Sequence, residues 1–352
     1  MSASPTPPLQ HAIRRLAAGA SLTADESRSA FDAVMSGEAT PAQMASLLVG
    51  LRVKGETTDE VAGAAAALRS AMVHLRADRP DELVDTCGTG GGAIGTFNIS
   101  TAAALLASGA GVRVAKHGNR SFTSQCGSAD VLEALGVPIE VSVSVMERAL
   151  REAGIVFMFA PLMHPAMRHV GPVRRELGIP TVMNIVGPLA NPAGAGRQVV
   201  GVADARRVPL IAGALQTLGT AHALVVHGEP GMDEISPLGP THVIEIRDGW
   251  MQEWTVDPSH YGMPPGRAEE LAGGPPADNA AAVRAVLSGD APPTARAAVV
   301  LNAAAALFVS NSGIKEFGEA IEEVAAALDA GAGIAALERL RGAFTRPTDE
   351  NE

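Results

Sequence analysis

Aromatic side chains are scarce: they make up 3% of the 352 residues, with one tyrosine and two tryptophans. Much of the 47% apolar content is alanine, which points to closely packed helices. Cysteine is nearly absent too. Cys87 and Cys126 show no CxxC or metal-ligand spacing and provide no disulfide framework, so a reducing cytoplasm is the expected setting. Basic charge is short, with 27 Lys and Arg against 38 Asp and Glu and a formal charge of −11. That disfavours general affinity for nucleic acid or an anionic membrane, since either needs a basic surface to displace counterions. No apolar run reaches the ~18 residues of a membrane span. Ala297 to Val309 comes nearest, contains Asn302, and reads as a buried helix. The Ser4–Pro8 segment lacks the charged and apolar regions of a secretory signal and reads as a frayed end. Gly-Lys occurs nowhere, which excludes a Walker phosphate loop. No internal repeat is visible.

The length exceeds what one core usually holds, so a large domain with a smaller one is expected. From His11 to about Met72 the pattern is helical, with capping boxes at Thr23/Glu26, Thr40/Gln43 and Thr57/Glu60. Met44, Leu47, Leu48 and Leu51 form an apolar stripe at i, i+3, i+4, i+7. A second copy of the chain or its own large domain serves equally well as cover. Beyond a hinge-like Ala77–Pro80, strands alternate with helices: Leu83/Val84, Val112–Ala115, Val156–Phe159, Val199–Ala203 and Ala223–His227. The fold class is therefore α/β, a mainly parallel sheet flanked by helices plus a small all-α N-terminal domain. Asp248-Gly249 between alternating segments reads as an edge hairpin, and Pro264 to Pro276 as a loop. Parallel sheets bind ligands at the carboxyl ends of their strands, where the segment after Val84, Lys116-His117, Ala160-Pro161 and His227–Glu234 are expected to converge.

Asp85 to Thr101 is the stretch least suited to plain packing. Gly88, Gly90, Gly91 and Gly92 lie between a strand and an alanine-rich helix that Asn98 or Ser100 would cap, an arrangement that offers backbone N–H groups and a helix dipole to an anion. Glycine lets a phosphate approach the main chain and adopts positive φ. A glycine turn without a ligand is the plain alternative. Gly90, Gly92 and Gly95 also match G-x-G-x-x-G, but the next strand runs into Lys116-His117-Gly118-Asn119-Arg120, where a dinucleotide site wants an acid.

Seven ordered motifs go further. Asp85-Thr-Cys-Gly-Thr-Gly-Gly, Thr96-Phe-Asn-Ile-Ser-Thr, Val114-Ala-Lys-His-Gly-Asn-Arg, Gly127-Ser-Ala-Asp-Val-Leu-Glu-Ala-Leu-Gly, His164-Pro-Ala, Asn184-Ile-Val-Gly-Pro-Leu-Ala-Asn-Pro and Met232-Asp-Glu-Ile-Ser span most of the chain, and the chain resembles the anthranilate phosphoribosyltransferases. The resemblance implies transfer of phosphoribose from phosphoribosyl pyrophosphate to the amine of anthranilate with magnesium, in tryptophan biosynthesis. It also implies a homodimer through the N-terminal helices. Its domains would be 1–75, with a contribution from about 165–190, and 80–345. For phosphoribosyl pyrophosphate it implies Gly88, Thr89, Gly90, Gly91, Thr96, Asn98, Ser100, Thr101, Lys116 and Ser128. For anthranilate it implies Gly88, His117, Asn119, His164, Arg174, Gly187 and Pro188, with the Arg174 guanidinium suited to a planar carboxylate. For magnesium it implies Ser100, Asp233 and Glu234, although adjacent loop carboxylates taken alone are as a rule solvated charge. No residue stands out as general base.

Rival readings are a nucleic-acid-binding protein of the same fold, a pyrimidine nucleoside phosphorylase and a purely structural helical dimer. The acidic charge opposes the first, the phosphate loop and base-reading segment opposes the second, and the glycine stretch with its Asp-Glu pair opposes the third. The chain departs from the resembled pattern at Gly92-Ala93, where the cradle commonly ends in Asp, at Gln125-Cys126 and at Pro180. With Gly92 in place of the acid, weaker metal capture at the cradle and less inhibition by excess magnesium are expected. Magnesium titration of activity in the natural chain and in Gly92→Asp checks this, and superimposable curves would sink it.

Overall fold

The computed structural model describes residues 7–121 and 125–345. The chain opens with α1 (Pro8–Ala17), α2 (Ala24–Met35), α3 (Pro41–Lys54) and α4 (Thr58–Ser70). The expected frayed end lies outside the described residues except for Pro7 and Pro8, and these two start α1. All three capping boxes form: each threonine hydroxyl accepts the N–H three residues on, and that residue's side chain accepts the threonine N–H. Glu60 does more than cap. Wholly buried, it also accepts from Leu22 N–H and Lys54 Nζ, both at 2.9 Å, and so joins the α1–α2 connection to α3 and α4.

After the linker come β1 (Val84–Gly88), α5 (Ile99–Gly109), β2 (Val114–Gly118), α6 (Ser128–Ala134), α7 (Val143–Ala153), β3 (Ile155–Phe159), α8 (Ala160–Met163), α9 (Met167–Leu177), β4 (Arg197–Gly201), α10 (Val208–Thr217), β5 (His222–Gly228), β6 (Thr241–Arg247) and β7 (Trp250–Val256). Four helices follow: α11 (Pro276–Leu287), α12 (Pro293–Val309), α13 (Phe317–Asp329) and α14 (Ala332–Thr345). The sheet has the order β3-β2-β1-β4-β5-β6-β7. Its first five strands are parallel, and β6 and β7 close the edge as an antiparallel pair. The turn at Asp248 (φ 49°) and Gly249 (φ 82°) has the positive dihedrals of a tight hairpin. Pro264 to Pro276 is mostly irregular, with one helical turn at Ala268–Leu271.

Two strands differ from expectation. β1 begins at Val84 and runs through Asp85, Thr86 and Cys87 to Gly88, because each pairs with β4 from Arg197 to Gly201. β2 runs to Gly118, so Lys116 and His117 lie within the strand, paired with Phe157 and Met158, and do not follow it. Neighbouring strand pairing extended both elements beyond their apolar letters.

Side chains alternate between two cores. Val199, Leu224, Val226 and Val243 face a layer built from α5, α7 and α11 to α14, whereas Val200, Val225, Ile244 and Ile246 face α10 and the N-terminal helices. The helical bundle thus shares a core with one sheet face. The stripe of Met44, Leu47, Leu48 and Leu51 is at most 5% exposed within the single chain. It packs with α1, α9 and the turn at Val182–Asn184. Of the two covers that the sequence left open for this stripe, the chain's own is present: α9 and the segment behind it lie over it. α12 is buried along nearly its whole length, as read. Among the described residues no helix is long and apolar enough to cross a membrane.

Candidate active site

The chain leaves β1 toward β2 on one side and returns at β4 on the other, which makes the carboxyl ends of β1 and β4 a topological switch point. Gly88 pairs with Gly201 there, Thr89 N–H donates to the Gly201 carbonyl at 2.9 Å, and Ala203 N–H donates to Thr89 Oγ1 at 3.1 Å. Gly90 and Gly91 follow with φ of 70° and 81°, which only glycine adopts freely, and a Cβ on either would meet open space. A different constraint acts at Gly88, Gly92 and Gly201. Added Cβ atoms would lie 2.8 Å from Asp233 Oδ2, 3.0 Å from Asp233 Oδ1 and 1.7 Å from the Asp233 carbonyl. These three glycines make room for protein, and two of them, Gly88 and Gly92, stand in the stretch where the sequence had suggested room for phosphate.

The Asp233-Glu234 loop after β5 folds onto this corner. Gly90 N–H donates to Asp233 Oδ2 at 2.9 Å, and Ser100 N–H, in the first turn of α5, donates to Glu234 Oε1 at 3.1 Å. Glu234 therefore caps α5. The expected caps do not: Ser100 is already helical, and Asn98 Nδ2 donates to the Cys126 carbonyl at 3.2 Å while its Oδ1 accepts from Asn279 Nδ2 at 2.9 Å. The Glu234 carboxyl oxygen takes the free N–H at the start of the helix, while the Asn98 amide is occupied by partners of its own. Burial raises the Asp233 carboxyl above its ordinary range. Burial first, and then the Asp233 charge, push Glu234 up as well.

Beneath the loop, the buried Lys116 ammonium donates to the Thr86 carbonyl and approaches Ser100 Oγ at 3.2 Å, and burial lowers its pKa. Asp85, fully buried, accepts from His117 N–H at 3.1 Å and from Asn191 Nδ2 at 2.7 Å, and burial raises its carboxyl to about 6. His117 and His164 meet Nε2 to Nε2 at 3.1 Å, so one ring donates and the other accepts. Burial holds His117 down to about 3 and His164 to about 4. The turn Gly187–Leu189 lies alongside, with the Pro188 carbonyl accepting from Gln198 Nε2 at 2.9 Å and contacting Cys87 Sγ at 3.9 Å.

The structure thus brings together Gly88, Thr89, Gly90, Ser100, Lys116, Asp233 and Glu234 as one group, and pairs His117 of β2 with His164 just after α8. Asn119 and Ser128 form a neighbouring corner, Ser128 Oγ donating to the Asn119 carbonyl at 3.3 Å. Thr96 bridges to Ala272 instead, and Thr101 is buried with its hydroxyl unpartnered among the described residues. Arg174 stands in the last turn of α9, half-buried and in no ion pair among the described residues, and burial lowers its pKa. Among the described residues no hydrogen bond joins it to the cradle. His222 stands apart from the site, buried against Glu245 at 2.9 Å.

Four positions carry site geometry without having been assigned a role: Asp85, Asn191, Asn279 and Asn302. Asn302, on α12, accepts from Ile235 N–H at 2.9 Å and donates to the Ile235 carbonyl at 2.8 Å, clamping the residue next to Glu234. Its signal was present as a lone amide in an apolar run, which a buried interior tolerates only with partners. Among the described residues no three metal-ligating side chains gather, so two carboxylates are what the protein offers a cation.

A helical bundle joined to a sheet with a carboxylate-lined glycine corner at its switch point defines a two-part glycosyl transferase. The family described as "Glycosyl transferase family, a/b domain" matches residues 80–334, and "Glycosyl transferase family, helical bundle domain" matches 10–72. The chain is 49% identical over 339 residues to the anthranilate phosphoribosyltransferase of Anaeromyxobacter sp. (strain K), covering 96% of this chain and 99% of that one. It is 49% identical to that of Rubrobacter xylanophilus over 94% of this chain and 96% of the relative. The crystal structure of the Thermus thermophilus enzyme of the same name superposes with a TM-score of 0.89 at 41% identity, over 95% and 99% of the two chains. The Saccharomyces cerevisiae enzyme, solved with PRPP and Mg, gives 0.85 at 27% identity over 96% and 98%. The chain belongs to the anthranilate phosphoribosyltransferase family.

The buried histidines set an acid limit. Unfolded imidazoles titrate near 6.5, so as pH falls from there toward 4 the unfolded state binds protons that the folded state excludes, and stability present above pH 6.5 is lost. Linkage makes this roughly 2 kcal/mol per histidine between pH 7 and pH 5. Asp85, raised to about 6, and Glu234, raised to about 8, act oppositely, because the folded state takes up protons there over the same window, and together they offset most of this loss. On going from pH 7.5 to pH 5, urea unfolding is expected to place the natural chain's stability change roughly 2 kcal/mol below that of His164→Asn; an equal change in the two proteins would remove the assignment.

Proposed function

We propose that the chain transfers the 5-phosphoribosyl group of phosphoribosyl pyrophosphate to the amine of anthranilate, giving N-(5-phosphoribosyl)anthranilate and pyrophosphate, a step of tryptophan biosynthesis. The observation that carries this reading is the single corner at the switch point, in a chain related along its length to enzymes of that name, where the open turn Gly90-Gly91, the Lys116 ammonium and the Asp233-Glu234 pair meet.

Departure of pyrophosphate from the anomeric carbon leaves positive character on the sugar and negative charge on the leaving group, so charge stabilisation and positioning do the work and no covalent nucleophile is needed. Gly88 to Gly91, Thr96, Asn98, Ser100, Thr101, Lys116 and Ser128 hold the phosphoribosyl donor in this reading. The Gly91 turn and the start of α5 face it with main chain, and Lys116 adds a point charge. Asp233 and Glu234, with Ser100 beside them, are the residues that would hold magnesium. Two adjacent carboxylates whose protonation is favoured by burial, and at Glu234 also by the Asp233 charge, suit a cation whose remaining oxygens come from substrate and water. When bound, magnesium neutralises charge on the departing pyrophosphate. Arg174 grips the anthranilate carboxylate, while Gly88, Asn119, Gly187 and Pro188 and the neutral pair His117 and His164 line the aromatic acid's pocket. We further propose domains of 1–75, with 165–190, and 80–345, supported by α9 packing on α2 and α3. A cytoplasmic setting is supported by two free cysteines. A homodimer through the N-terminal helices is supported by Val53, 81% exposed in the last turn of α3, and a monomer by sedimentation would overturn it.

Mixing the protein with phosphoribosyl pyrophosphate, magnesium and anthranilate should quench anthranilate fluorescence; absence of turnover, beside nucleoside phosphorolysis or tight single-strand binding, would overturn the reading. In that assay Arg174→Ala is expected to raise KM for anthranilate about tenfold or more, the worth of one charge-assisted contact. Asp233→Ala and Glu234→Ala are expected to raise the magnesium and donor requirement. Asn302→Leu should shift the magnesium requirement in the same direction, because it frees the Ile235 peptide; constants equal to the natural chain's would strip these residues of their roles.

A further inference from the structure

At the opposite end of β2 from His117 lies a cavity of about 240 Å³. It is bounded by Arg76 and Asp78 of the linker, Arg113 just before β2, and Glu147, Leu150 and Arg151 of α7. Three guanidinium groups meet here in a chain of formal charge −11. None of the three takes part in an ion pair among the described residues, although Arg79 close by pairs with Glu82 at 2.9 Å. Two carboxylates, Asp78 and Glu147, line the cavity with the three arginines and leave a formal excess of one positive charge; Glu147 Oε1 accepts from Arg76 N–H at 2.8 Å. Arg113 is held ready, its Nη1 donating to the Asp78 carbonyl at 2.7 Å, and Leu150 forms a buried floor.

We propose that this cavity binds a small phosphate-class anion. Guanidinium forks match oxyanions, and a tetrahedral anion presents oxygens toward three arginines at once, whereas a planar carboxylate faces two at most. A cavity of this size has room for inorganic phosphate or pyrophosphate. The anion would connect Arg76, on the passage from the helical bundle, to Arg113 and Arg151 of the α/β layer. That passage is already fastened by Val73 N–H to the Met163 carbonyl and Leu75 N–H to the Pro192 carbonyl, so occupancy stiffens its remaining part.

The test is titration of the full chain with inorganic phosphate by calorimetry, with hydrogen exchange read at amides 76–79. The natural chain is expected to show a binding class that weakens at least tenfold in Arg113→Gln/Arg151→Gln, and phosphate should slow exchange at Arg76 in the natural chain alone. Turnover of the double variant in phosphate-free buffer should stay unchanged. Identical isotherms in the two proteins, with no protection of 76–79, overturn the proposal. Should the double variant not fold, Arg151→Gln alone, at an exposed side chain, is judged by the same two readings. Pyrophosphate is expected to protect the same amides, and protection by adenosine monophosphate without protection by inorganic phosphate would overturn the assignment to a free anion.

Discussion

The site depends on two carboxylates being driven against the end of a strand and the start of a helix. Asp233 takes the Gly90 N–H and Glu234 takes the Ser100 N–H, so charge that would otherwise suffer desolvation is met by unpaired main-chain donors and a helix dipole. That contact dictates its surroundings. Gly88, Gly92 and Gly201 have no side chain because the loop carrying Asp233 occupies the space. Asn302 clamps the next residue from α12, and Lys116 supplies the opposing charge from below. Fixed donors aimed at a negative centre in a dry corner are the arrangement in which electrostatic stabilisation is strongest.

A second buried network runs beside the first and keeps it rigid. Asp85 holds the main chain of His117 and the amide of Asn191, and Asn191 in turn donates to the Ala115 carbonyl at 2.8 Å. β1, β2 and the 184–192 segment are thereby locked together under the site. The His117–His164 contact completes it with two imidazoles that share a single proton between their facing nitrogens and carry no charge at neutral pH. Neutral rings suit an aromatic acid whose only formal charge is a carboxylate, leaving that charge to an arginine.

Much of this was legible beforehand, and the misses have a common form. The capping boxes, the hairpin at Asp248-Gly249 and the α12 helix each follow from residues within a few positions of one another, and each formed as read. What differed involved partners distant along the chain: the cap of α5 comes from Glu234, 134 residues away, and the side chain of Asn98 turns to Asn279, 181 residues away. Asn302 was visible as an anomaly in an apolar run, yet its partner Ile235 was not.

The order of letters by itself determined the class of fold, the helix starts, the seven motifs and hence the chemistry they imply, because these rest on local periodicity and on residue types that only a phosphate-handling site needs. Only the tertiary structure decided what the glycines make room for, which group caps α5, and whether the Met44 to Leu51 stripe is covered within the chain. Those outcomes depend on which surfaces meet once the sheet is assembled, and burial and hydrogen-bond satisfaction select among partners that no short window of sequence contains.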